Sequence, residues 1–100
     1  MTASIGIWAQ GEATGDQVLY RWEAEQVSGF VTFEVPSRRF RPADVNGRPI
    51  GDLLFDAVTG EANGIAAGVD RRLFSQVVAA ILRGYGRAGK APATAHAHYY

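Results

Sequence analysis

From Gln17 to Glu25 the chain alternates strictly enough to read as a strand. Val18, Tyr20, Trp22 and Ala24 fall on one face, and Gln17, Arg21, Glu23 and Glu25 on the other, with Leu19 interrupting the polar set. That period of two marks a half-buried antiparallel strand. Ile5 to Gln10 is a short apolar run before it, and Gly11 to Asp16 between them is rich in turn formers, as a hairpin loop requires. Ser28-Gly29 marks a second turn. Phe30 to Val35 is aromatic and β-branched, with Val31, Phe33 and Val35 on one face, and Pro36 ends it because proline has no N–H to give a ladder.

Residues 36–49 are mostly irregular by composition. Asn46-Gly47 is a two-residue turn signal, so Phe40–Val45 and Arg48–Leu54 read as a further hairpin. A helix competes for the second part, because Ile50, Leu53, Leu54, Ala57 and Val58 also sit at helical spacing behind Pro49. The strand followed by a short irregular piece is preferred. Residues 59–69 carry three glycines and read as loop.

The period changes after Asp70, a good N-cap. Leu73, Phe74, Val77, Val78, Ile81 and Leu82 form a stripe at spacings of three and four, and Gly84 stands where a helix stop is expected. The whole is therefore an α+β domain: an antiparallel β-meander of three to five strands with one C-terminal amphipathic helix, about residues 70–84, packed on one face. Residues 1–90 form the domain and 91–100 a tail that is either loose or docked on the domain or on another copy through its terminal tyrosines. Trp8, Tyr20, Trp22, Phe30, Phe33 and Phe74 are expected in the core.

Composition narrows the class. The chain has 100 residues, and Leu, Ile, Val and Phe make up 24 of them, enough for a folded core. One small domain excludes a two-domain dinucleotide enzyme or a barrel. Cysteine is absent, which removes disulfides, thiolate metal sites and cysteine nucleophiles. With no leader-like N-terminus and no apolar run of membrane length, the expected location is cytoplasmic, without membrane contact. The net charge is zero but uneven. Residues 1–37 hold Arg21 against Glu12, Asp16, Glu23, Glu25 and Glu34, whereas residues 71–100 hold five basic residues and no acid. Internal pairing of the two ends is the simpler reading, and contact between copies the other.

Little catalytic chemistry is legible. Gly84-Tyr-Gly-Arg-Ala-Gly89-Lys90 matches two phosphate-loop patterns, but it follows a helix instead of a strand, and Ala91 stands in place of the metal-binding hydroxyl. It reads as a helix cap with a flexible exit. His96 and His98 would share a face of an extended segment, yet two imidazoles are short of a zinc site. Glu23, Glu25, Asp52 and Asp56 with His96 or His98 are the ingredients of a small acid–base site only if the tail folds back. No cofactor, no metal and no enzymatic activity are expected.

Arg38-Arg39-Phe40-Arg41, on a proline-bounded loop, is the best contact candidate, with Arg71 and Arg72 at the unfavourable positive end of the helix dipole. The partner-binding residues are thus Arg38, Arg39, Phe40, Arg41, Arg71 and Arg72. The expected function is a non-catalytic protein-binding module, of inhibitor, immunity or adaptor type, acting on a protein partner or on itself. A nucleic-acid-contacting accessory domain using the same arginines, with Phe40 stacking on a base, is the alternative; the neutral net charge weighs against it.

Overall fold

The structure is a computed structural model that describes residues 3–11 and 15–99. It is α+β, one antiparallel sheet with one helix on it. The strands are β1 (Ala3–Ala9), β2 (Gln17–Ala24), β3 (Val27–Glu34), β4 (Arg39–Ala43), β5 (Leu54–Asp56), β6 (Glu61–Asn63) and β7 (Thr94–Tyr99), with α1 (Arg71–Ala88) between the last two. They lie in the order β6-β5-β4-β3-β2-β1-β7. The meander is thus longer than expected, and its last strand returns across the sheet to pair with the first.

The alternation in β2 decides which way the sheet faces. Val18, Tyr20, Trp22 and Ala24 are buried, and their partners across the ladders are buried beside them: Phe33 and Val31 on β3, and Ile7 and Ile5 on β1. Phe40 of β4 stands opposite Phe33, with the rings stacked at 4.3 Å. Leu73, Phe74, Val77, Val78, Ala80 and Ile81 of α1 close this layer from above. Trp22 fits because Gly29 faces it. A Cβ on Gly29 would come within 2.8 Å of the indole.

Asp70 caps α1, its carboxylate accepting from the N–H groups of Arg72 at 2.9 Å and Leu73 at 3.2 Å. The helix does not stop at Gly84. It runs to Ala88, and Gly89, in the left-handed region at φ 71°, is the C-cap. Gly84 has another reason to be glycine: a Cβ there would lie 2.9 Å from the ring of Pro92. Tyr85 holds the extra turn down, its ring edge-on to Phe33 at 5.7 Å.

Three shorter segments complete the sheet. Residues 50–58 are not helical, as preferred; the Asn46-Gly47 turn forms, with Gly47 at φ 81°, but the expected strand Arg48–Leu54 is reduced to a single bridge between Ala43 and Pro49, and β5 pairs with β4 instead. Glu61–Asn63, expected as loop, is strand β6. The segment taken for a tail is β7, docked on the domain beside β1. Tyr20 ties its entrance by donating its phenol O–H to the Pro92 carbonyl at 2.7 Å. Tyr100 lies outside the described residues, as do the side chains of His98 and Tyr99. No helix among the described residues is long and apolar enough to cross a membrane.

Candidate binding face

With α1 covering one side, the side chains of opposite parity point to the other. Ladder registers place them in rows. Thr94, Trp8, Arg21, Phe30 and Ala43 form one row; Leu19, Thr32 and Arg41 form the next; Gln17, Glu34, Arg39 and Asp56 form a third. Trp8 and Phe30, expected in the core, belong here. Trp8 is 39% exposed. Its ring lies along β1 over Gly6, where a Cβ would be 2.6 Å away. Glycine at position 6 is what lets the indole lie flat on the sheet instead of standing off it.

The loop from Asp44 to Pro49 folds back over this face. Asp44 fixes it, its Oδ1 accepting from Asn46 N–H at 2.9 Å and Arg48 N–H at 3.0 Å. The loop and the sheet enclose a polar cleft of about 200 Å³ lined by Gln17, Thr32, Glu34, Arg39, Arg41, Gly47 and Pro49. Thr32 is its floor, nearly buried and donating to the Arg41 carbonyl at 3.4 Å. Arg39 reaches Asp56 at 3.7 Å. Among the described residues Arg41 has no carboxylate within ion-pair distance. Its fork is therefore available to a planar anion such as a carboxylate.

The contact string expected from sequence is split by the same alternation. Arg39 and Arg41 sit together on the open face. Phe40, between them, is wholly buried and packs as a core residue against Phe33. Arg38, at φ 57° in the β3–β4 turn, lays its guanidinium 5.5 Å from the centre of the Tyr85 ring, on the helix side. Arg71 and Arg72 are exposed in the helical layer. One continuous patch of all six residues is not formed. Trp8 and Phe30 were missed as surface residues because an apolar side chain on a short strand carries no sign of which side will be covered; Trp8 standing two residues from Gly6 was the available signal.

Two of the acidic candidates, Glu23 and Asp56, have structural partners, as does Glu34. Glu23 pairs with Arg21. Glu34 accepts from the Ser37 hydroxyl at 2.7 Å. Asp56 receives the N–H of Val58 at 2.9 Å and shapes the β5–β6 turn, while Asp52 lies in a separate turn, so the two do not share a helix face. His96 is two strands from Glu23, with Gly6 between them. Among the described residues no three His, Asp or Glu gather to hold a metal ion. The Gly84–Lys90 string is the C-terminal end of α1, where the dipole repels phosphate. Neither described ion pair joins the acidic N-terminal third to the basic C-terminal third; both are local.

A second cleft, of about 170 Å³, opens at the start of the helix between Trp22, Val27, Ile50, Val69 and Phe74. Its one titratable lining residue is Asp70, already engaged as the cap. No family model matches this chain, and no curated protein or solved structure is significantly similar to it.

Proposed function

We propose that the chain is a non-catalytic protein-binding module that docks through the uncovered face of its sheet. One observation carries the reading: α1 packs on one side of the seven-stranded sheet, and the other side, which among the described residues is overlaid by the 44–49 loop, presents Trp8 laid flat beside Arg21, Phe30, Leu19 and the available guanidinium of Arg41. Aromatic residues and arginine are what interfaces are enriched in, and an apolar patch with a charged cleft at its border has the form of an anchor with a polar rim. Arg41 and the cleft fit an acidic side chain of the partner, received bidentately.

Two features favour protein over nucleic acid as the ligand. Phe40, needed to stack on a base, is closed in the core. Glu23, Glu34 and Asp56 share the face with the arginines, and such a mixed surface suits a protein better than a phosphate backbone. Of the acidic groups offered for acid–base chemistry, Glu23 is held in an ion pair and Asp56 in a turn, which supports a binding role over an enzymatic one.

Native mass spectrometry of the protein purified from its own host at low salt tests this. The wild type is expected to carry a second polypeptide, and the double variant Trp8→Ala, Arg41→Glu to lose it with an unchanged circular dichroism spectrum. A bound polypeptide retained in full by the double variant would contradict the proposed face.

A further inference from the structure

The two ends of the sheet are not equally protected. The edge strand β6 has three residues, one of them Glu61, and is closely followed by Gly64 at φ 86°. A short, charged edge of that kind resists pairing. The opposite edge strand, β7, has six residues, Thr-Ala-His-Ala-His-Tyr, with no proline, lysine or carboxylate among them.

The hydrogen-bond phase of β7 can be read from its entrance. Ala9 donates its N–H to the carbonyl of Ala93 at 2.8 Å. In an antiparallel ladder, facing pairs alternate between bonded and non-bonded. The register Ile7 with Ala95 and Ile5 with Ala97 therefore continues the bonded pairs. It follows that Ala95 and Ala97 direct their N–H and C=O groups to β1. Thr94, His96 and His98 direct theirs outward, along an edge with no further strand of the sheet beyond it.

We infer that this edge pairs with β7 of a second copy, antiparallel about a two-fold axis at His96, so that position 94 faces 98 and 96 faces 96. The inference rests on the reading of the chain as a module that works by docking, and names one of its docking elements. A two-fold pairing makes an antiparallel edge its own complement: the outward N–H of each position meets the outward C=O of its mate. The occupant is also suited by size. Alternate side chains of an added strand project to the helix side, where α1 lies close over β7. A second β7 brings only the methyl groups of Ala95 and Ala97 there. The strand holds no Lys, Arg, Asp or Glu, so pairing two copies sets none of these charges against its like.

Sedimentation velocity between about 5 and 200 μM spans the range in which a short seam associates. The wild type is expected to shift from the chain mass of 10.8 kDa to twice that mass. His96→Pro removes an outward N–H that β1 does not use, and His96→Lys places a charge on the two-fold axis. Each should weaken dimerisation roughly tenfold or more, since one such bond or repulsion is worth about a kcal/mol on each side of the axis. The lysine variant keeps the test valid should the proline variant fail to fold. A wild type that stays at monomer mass throughout overturns the inference, as does a dimer that survives both substitutions. A dimer abolished by Arg41→Glu but not by the His96 variants overturns the edge pairing and leaves the open-face reading intact. A wild type that dimerises through His96 but carries no second polypeptide would do the reverse.

Discussion

Phe40 and its neighbours show how much one residue of phase decides. Arg39 and Arg41 look like contact residues and Phe40 like their aromatic companion, but successive strand side chains point to opposite faces. Phe40→Ala should therefore cost about 3–5 kcal/mol of stability by urea denaturation, the cost of a core cavity, whereas Arg41→Ala should stay within about 0.5 kcal/mol. Equal effects of the two would place Phe40 at the surface. Tyr20 carries a pH dependence of its own. Burial pushes its phenol well above its ordinary value of about 10, and the O–H is held by the Pro92 carbonyl. The folded state thus keeps a proton that the unfolded state releases. The stabilisation is complete below about pH 10 and declines as pH rises above it toward the folded value. Tyr20→Phe should cost about 1–2 kcal/mol at neutral pH, leaving a carbonyl unpaired, and should flatten the alkaline decline relative to the wild type.

At the scale of elements, legibility followed the strength of the period. β2 and α1 are long and amphipathic, and their cores, the Asp70 cap and the Asn46-Gly47 turn were readable. β3 starts earlier than its reading, because Ser28-Gly29, taken for a turn, are paired with Glu23 and Trp22, and the turn lies at Glu25-Gln26, with Glu25 at φ 39°. β5 and β6 are three residues each, too short to show an alternation. β7 was unreadable for a different reason: Ala95 and Ala97, on the side where the helix lies close, have no apolar bulk, and Thr94 and His96 on the other side are polar and exposed. Gly84 misled because two causes put glycine in a helix, termination and close approach, and only the packed structure separates them. Gly84→Leu should therefore destabilise by about 1–3 kcal/mol through its clash with Pro92, not lengthen a helix that already passes through it. A chain ending at Ala93 should lose far more, because Ile5 and Ile7 of β1 would lose the strand beside them. Hydrogen exchange should then show β1 amides exchanging at near-unfolded rates. Protected β1 amides in that truncated chain would mean that β7 contributes little to the fold.

The whole molecule is a two-layer body with an unequal pair of surfaces. The described ion pairs, Arg21–Glu23 and Arg39–Asp56, lie within the sheet, and strand parity sets which face each of these charges takes. That parity gathers Arg39 and Arg41 on the open face with Trp8, Leu19 and Phe30, and leaves Arg38 and Arg71 to the helical layer. The open face was half legible. Its arginines were visible in the sequence, but Trp8 was marked only by Gly6 two residues before it, because the pattern of apolar residues in β1 does not tell which side α1 will cover. The most direct test is site-specific photo-crosslinking in the host cell, with a benzophenone side chain at Leu19, in the middle of the open face, or at Ser75, exposed on α1. The account predicts a covalent protein adduct from position 19 that Arg41→Glu abolishes, and none from position 75. Adducts from position 75 alone, or from position 19 with no dependence on Arg41, would contradict it.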